Sequence, residues 1–124
     1  MITDADPKSL PTLSVVIPCY NEGENVPLLF ARLLPALAAL GVSFEVICIN
    51  DGSRDDTLDR LLEVQSRESV VRIIDLSRNF GKEKALSAGL FHSRGLAVVP
   101  MDADLQHPPE AIAAMLARWR EGWE

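Results

Sequence analysis

The feature that most constrains this chain is a regular alternation: four short apolar runs, each followed by a stretch with helical periodicity. Residues 13–19 (LSVVIPC), 44–50 (FEVICIN), 70–76 (VVRIIDL) and 96–101 (LAVVPM) are rich in β-branched residues. Such near-continuous apolar runs mark strands buried on both faces. Between the first two, residues 25–40 put Val26, Leu29, Leu33, Leu37 and Leu40 on one helical face, with Pro35 expected to kink or split the helix. A second helix, capped by Asp55, carries Leu58, Leu61, Leu62 and Gln65 as its stripe. A third covers residues 82–92, and a fourth opens at Pro108 and Pro109 and buries Ile112, Met115, Leu116 and Trp119. Four β-then-α units predict an α/β, Rossmann-like parallel sheet with right-handed crossovers and helices on both faces.

Length and charge narrow the function. The 124 residues suffice for one domain, residues 13–124, behind a loose polar leader of residues 1–12. A net charge of −6 argues against a nucleic-acid partner, because phosphate backbones reward clustered Lys and Arg. It argues equally against a polybasic membrane-surface segment. The start lacks a signal-peptide pattern, and no run approaches the ~18 apolar residues of a membrane span, so the sequence reads as soluble. Cys19 and Cys48 lie inside predicted strands without metal-type spacing. Buried, reduced thiols on neighbouring strands are expected, in a reducing compartment.

Open parallel sheets bind ligands beyond the carboxyl ends of their strands, which singles out four loops. After the fourth strand come Asp102, Asp104 and Gln106. On an extended chain the two aspartates point the same way, and two close carboxylates repel unless a cation lies between them. Oxygen ligands of this kind suit Mg²⁺ or Mn²⁺. The plainer reading ends the strand at Asp102 and leaves the other two in water. After the second strand, Asp51 in Asn-Asp-Gly-Ser can accept from a nucleobase N–H or a ribose hydroxyl, or serve ordinary turn chemistry. The first loop (Pro18, Tyr20, Glu22) has no G-x-G-x-x-G, which disfavours dinucleotide binding. Its Tyr20 offers a stacking ring or a half-buried one. The third loop supplies Arg78 and Lys82, either diphosphate contacts or solvated charges at a helix start. His92 and His107 read as helix-end residues.

Taken in order, SVVIPCYNEGEN, INDGSRDDT, LSRNFGKEKALSAGL and MDADLQHPPE resemble the family 2 glycosyltransferases of GT-A fold. More narrowly they are similar to the polyprenyl-phosphate hexosyltransferases, the group of dolichyl-phosphate mannose synthase and bacterial bactoprenol glucosyl transferases. The resemblance implies a nucleotide-sugar donor, UDP- or GDP-linked, lying over the strand ends. Pro18, Tyr20 and Glu22 would line the nucleoside pocket and Asp51 would bind the base. Asp102 would face the ribose or metal, Asp104 would hold the metal, and Gln106 would add a ligand. Arg78 and Lys82 would steady the diphosphate. His107 departs from the pattern, since relatives often carry Asp there.

The resemblance further implies a catalytic base and a polyprenyl-phosphate acceptor surface beyond Glu124, so this chain reads as the donor-side, N-terminal piece of a longer, membrane-associated enzyme of cell-envelope glycan or glycolipid synthesis. The piece alone is expected to be inactive, and an exposed apolar edge would favour self-association. The alternative is a non-catalytic nucleotide or nucleotide-sugar binding module. A phosphoacceptor signalling domain fits less well, because the first strand ends in Pro-Cys-Tyr-Asn rather than paired acids.

Overall fold

The computed structural model describes residues 10–104, 106 and 108–122. Four strands, β1 (Leu13–Cys19), β2 (Phe44–Asn50), β3 (Val71–Asp75) and β4 (Ala97–Pro100), form one parallel sheet in the order β3-β2-β1-β4. Four helices alternate with them: α1 (Asn25–Ala38), α2 (Thr57–Arg67), α3 (Lys82–His92) and α4 (Ile112–Arg120), the last preceded by a 3₁₀ turn at Pro109–Ala111. The chain steps outward from β1 to β3, then returns to the other side of β1. The order therefore reverses between β1 and β4, and the crevice beyond their carboxyl ends is where such sheets take ligands.

The sheet is covered on both faces. On one, Val15, Ile17, Val46, Cys48 and Ile73 pack with Val26, Leu29, Leu33 and Leu37 of α1, Leu61 and Val64 of α2, and Ile112 of α4. On the other, Val16, Ile47, Ile49 and Ile74 pack on Ala85 of α3. Helix α3 lies close because residue 89 is glycine: a Cβ there would sit 2.3 Å from Val16 Cγ1 and 2.6 Å from Ile49 Cδ1.

The amino end of the sheet is closed by a buried ionic knot. Arg72 Nη1 donates to Glu45 Oε1 at 2.7 Å and to the carbonyl of His92 at 2.9 Å. Ser14 Oγ donates to Glu45 Oε2 at 2.5 Å and accepts the N–H of Gly95 at 2.8 Å, while the N–H of Arg94 donates to the same Glu45 oxygen at 2.8 Å. The turn from α3 to β4 is thus fastened to three strands. Burial alone would raise the Glu45 pKa. The hydrogen bonds from Ser14, Arg94 and Arg72, with the Arg72 charge, outweigh it and hold the carboxyl below its ordinary value.

Several details differ from the sequence reading. Helix α1 is not split at Pro35; it continues to Ala38, forgoing the one bond that the proline nitrogen cannot donate. In α2 the buried positions are Thr57, Leu61 and Val64, whereas Leu62 is exposed. Met115 of α4 is also exposed and Trp119 only half-buried; the buried residues of that helix are Ile112 and Leu116. Helix α2 starts after Asp56, although Asp55 still accepts the N–H of Thr57 at 3.0 Å. Strand β4 is shorter than residues 96–101, and its outer side borders an apolar groove of about 610 Å³ lined by Leu96, Val98, Met115 and Trp119.

Candidate donor site

A cavity of about 230 Å³ lies beyond β1 and β4, lined by Pro18, Cys19, Tyr20, Glu22, Asp51, Asn79, Gly81, Lys82, Asp102, Ala103 and Asp104. It stands at the point where the strand order reverses. Six of the residues singled out by sequence meet there besides Asp104: Pro18, Tyr20, Glu22, Asp51, Lys82 and Asp102. Gln106 and Arg78 do not line it. Gln106 is exposed and its backbone N–H donates to Asp104 Oδ1 at 3.2 Å. Arg78 lies over the Phe80 ring, 4.7 Å from the centroid. His107 lies outside the described residues.

The walls are built by interlocking loops. Asn21 has φ of 53°, a left-handed conformation that asparagine tolerates better than most residues. That twist turns its N–H to Ser53 Oγ at 2.9 Å and its Oδ1 to the N–H of Arg54 at 2.8 Å. The N–H of Glu22 donates to Thr57 Oγ1 at 2.9 Å and that of Gly23 to Asp55 Oδ2 at 3.0 Å. Asp55 also accepts from the Thr57 hydroxyl. Although desolvation pushes the Asp55 pKa up, the bonds from Thr57 and Gly23 prevail and keep it below its ordinary value. Asn21, Ser53 and Thr57 are not among the sequence-based candidates, and Asp55 is one only as a helix cap; the cluster of capping residues in Ser-Arg-Asp-Asp-Thr is the available signal.

Asp51 is buried, and its two oxygens accept the backbone N–H groups of Phe80 at 2.8 Å and Gly81 at 3.1 Å. It therefore fixes the third loop at the point where α3 begins. Gly52 beside it has φ of 67° and touches the same loop; a Cβ there would lie 2.3 Å from the backbone of Arg78 and of Asn79. Only glycine meets both demands.

Lys82, the first residue of α3, reaches across the cavity to Asp102, with Nζ 2.5 Å from Oδ1. The bond to Asp102, its charge and that of Asp104 raise the Lys82 pKa. Strand β4 ends at Pro100; Met101 and Asp102 follow it directly, and Asp104 lies in the turn that comes next. Both aspartates line the one cavity. Among the described residues no three His, Cys, Asp or Glu side chains converge to hold a metal ion. Two carboxylates and no enclosing cage match a cation completed by water and phosphate.

Residues 14–124 match glycosyl transferase family 2. The chain belongs to that family. An uncharacterized glycosyltransferase of Synechocystis sp. is 53% identical over 112 residues, covering 90% of this chain and 35% of the relative. Among solved structures, S. aureus TarS 1-349 in complex with UDP-GlcNAc is similar with a TM-score of 0.68 and 25% identity, covering 90% of this chain and 31% of that one. The mannosyltransferase PcManGT from Pyrobaculum calidifontis, in complex with GDP-Man and Mn²⁺, has a TM-score of 0.71 at 24% identity, over 93% of this chain and 34% of that one. The architecture, a four-stranded parallel sheet with helices on both faces, matches that of GT-A glycosyltransferases. The chain spans about a third of the length of the relatives it matches.

Proposed function

We propose that this chain is the donor-binding part of an inverting family 2 glycosyltransferase that moves a hexose from a UDP- or GDP-sugar to a polyprenyl phosphate. The observation that carries the reading is the cavity where β1 and β4 diverge, which collects Tyr20, Asp51, Lys82, Asp102 and Asp104. TarS, whose complex holds UDP-GlcNAc, supports a nucleotide sugar as the occupant. Pro18, Tyr20 and Glu22 would enclose the nucleoside, with the exposed Tyr20 ring available for stacking. Asp51 would meet the base only through lone pairs left over from its two backbone bonds, so positioning the third loop is its first task. Arg78, held over Phe80, would serve the diphosphate only by leaving that ring.

Asp102 and Asp104 would hold Mg²⁺ or Mn²⁺, with Gln106 able to join by turning its amide inward. The cation supplies neutralisation of charge on the departing diphosphate. In the transfer, a phosphate oxygen of the lipid forms a bond to the anomeric carbon. The bond from that carbon to the diphosphate breaks on the opposite face, and its electron pair leaves with the nucleotide.

No described helix is long and apolar enough to cross a membrane. Work at a cytoplasmic membrane face in cell-envelope synthesis is part of the same proposal for the full-length enzyme. The test is a donor screen on the full-length protein, with labelled UDP- and GDP-hexoses and undecaprenyl or dolichyl phosphate. One sugar should pass into the lipid phase. Donor binding without transfer to any lipid would favour a non-catalytic binding module, and no donor binding would overturn the reading.

A further inference from the structure

The cavity has a charge problem that Lys82 solves in only one of its states. Among the described residues lining it, Glu22, Asp51, Asp102 and Asp104 are acids and Lys82 is the cation. Lys82 is committed to Asp102, with Nζ 2.5 Å from Oδ1. A divalent cation bound through that carboxylate draws off its negative charge and repels the ammonium, which weakens the hold of Asp102 on Lys82. A nucleoside diphosphate brings further negative charge into the same space. Its phosphates need the ammonium that the metal displaces.

We propose that Lys82 is an exchangeable counter-cation, holding Asp102 when no donor is bound and passing to the diphosphate when a divalent cation takes Asp102. The claim rests on the donor-site reading above and assigns Lys82 a role within it. The construction suits an exchange. The backbone beneath Lys82 is fixed, because Asp51 binds the N–H of Gly81 and Phe80 immediately before it. The side chain above is free to swing: it is 67% exposed, against 23% for Asp102. A fixed base and a solvated, flexible arm let the ammonium change partners without moving α3.

The exchange makes removal of the ammonium act in opposite directions on two ligands. Lys82→Met should tighten Mn²⁺ binding in the absence of nucleotide by about two- to fivefold, because a competing exposed ion pair is lost. With Mn²⁺ saturating, the same variant should bind UDP or GDP about tenfold or more weakly, because a charge-assisted phosphate contact is lost. Lys82→Arg keeps the charge and should resemble the parent in both measurements.

Mn²⁺ affinity is read by electron paramagnetic resonance and nucleotide affinity by calorimetry, on parent and both variants. A merely structural lysine would weaken both ligands together. Unchanged or weaker Mn²⁺ binding by Lys82→Met, or unchanged nucleotide binding, overturns the exchange while leaving the donor site standing if the parent binds. A parent that binds neither nucleotide overturns the donor site and the exchange with it.

Discussion

Asp51 accepts the backbone N–H of Phe80 at 2.8 Å across 29 residues of sequence, joining the end of β2 to the start of α3. With the second bond, to Gly81, this carboxylate holds one wall of the cavity in place. Asp51→Ala leaves two N–H groups without their partner and should cost about 1–3 kcal/mol of stability. Asp51→Asn keeps one acceptor and should cost less. Urea unfolding of both variants measures this. Calorimetry should show Asp51→Ala binding nucleotide more weakly with or without Mn²⁺, since the wall is lost in either case.

Gly52→Ala tests the same junction from the other side. The added methyl meets backbone rather than a movable side chain, at 2.3 Å, and the residue must keep a positive φ. Strain of about 1–3 kcal/mol is expected. It should appear as a lower unfolding midpoint and as shifted amide resonances for residues 78–81.

How far the sequence reveals such contacts depends on their range. Strands β1 and β2 are legible because a strand covered on both faces needs a near-continuous apolar run, and 13–19 and 44–50 supply one, interrupted only by Ser14, Glu45 and Asn50. The reversal between β1 and β4 is not legible, as nothing local in residues 97–100 states which side of β1 they join. Helical period identifies α2 and α4 but not how each is rotated on the sheet, hence the exposed Leu62 and Met115. Asp102 and Asp104 were visible as a pair; the partnership of Asp102 with Lys82, twenty residues earlier, was not. The bond from Asp51 is hidden for a further reason. Its partners are main-chain N–H groups, which every residue but proline carries.

At the opposite end of the sheet, Glu45→Gln should remove about 3–5 kcal/mol at neutral pH, because Arg72 stays buried without its counter-charge. The Glu45 pKa is lower folded than unfolded, so its contribution is fully present above the ordinary value of 4.5. It is lost as the pH falls through the folded value. Urea midpoints of parent and variant should therefore differ widely at pH 7 and converge in acid.

Cys19 and Cys48 are both fully buried. The neighbouring Cys48 thiol, then desolvation, pushes the Cys19 pKa well above the ordinary value, which keeps it protonated and unreactive. A thiol reagent should label neither under native conditions and both in denaturant. Rapid native labelling would contradict the packing of β1 against β2.

A divalent cation and a nucleoside diphosphate should share this cavity through Asp104. Titration calorimetry with UDP and GDP, with and without Mn²⁺, on the parent and on Asp104→Asn tests it most directly. The parent should bind one nucleotide more tightly when Mn²⁺ is present, and Mn²⁺ more tightly by the same factor when that nucleotide is present. Asp104→Asn keeps the shape of the side chain, removes its charge, and should abolish most of that coupling. Absence of nucleotide binding by the parent, or coupling in Asp104→Asn equal to the parent's, would contradict the account.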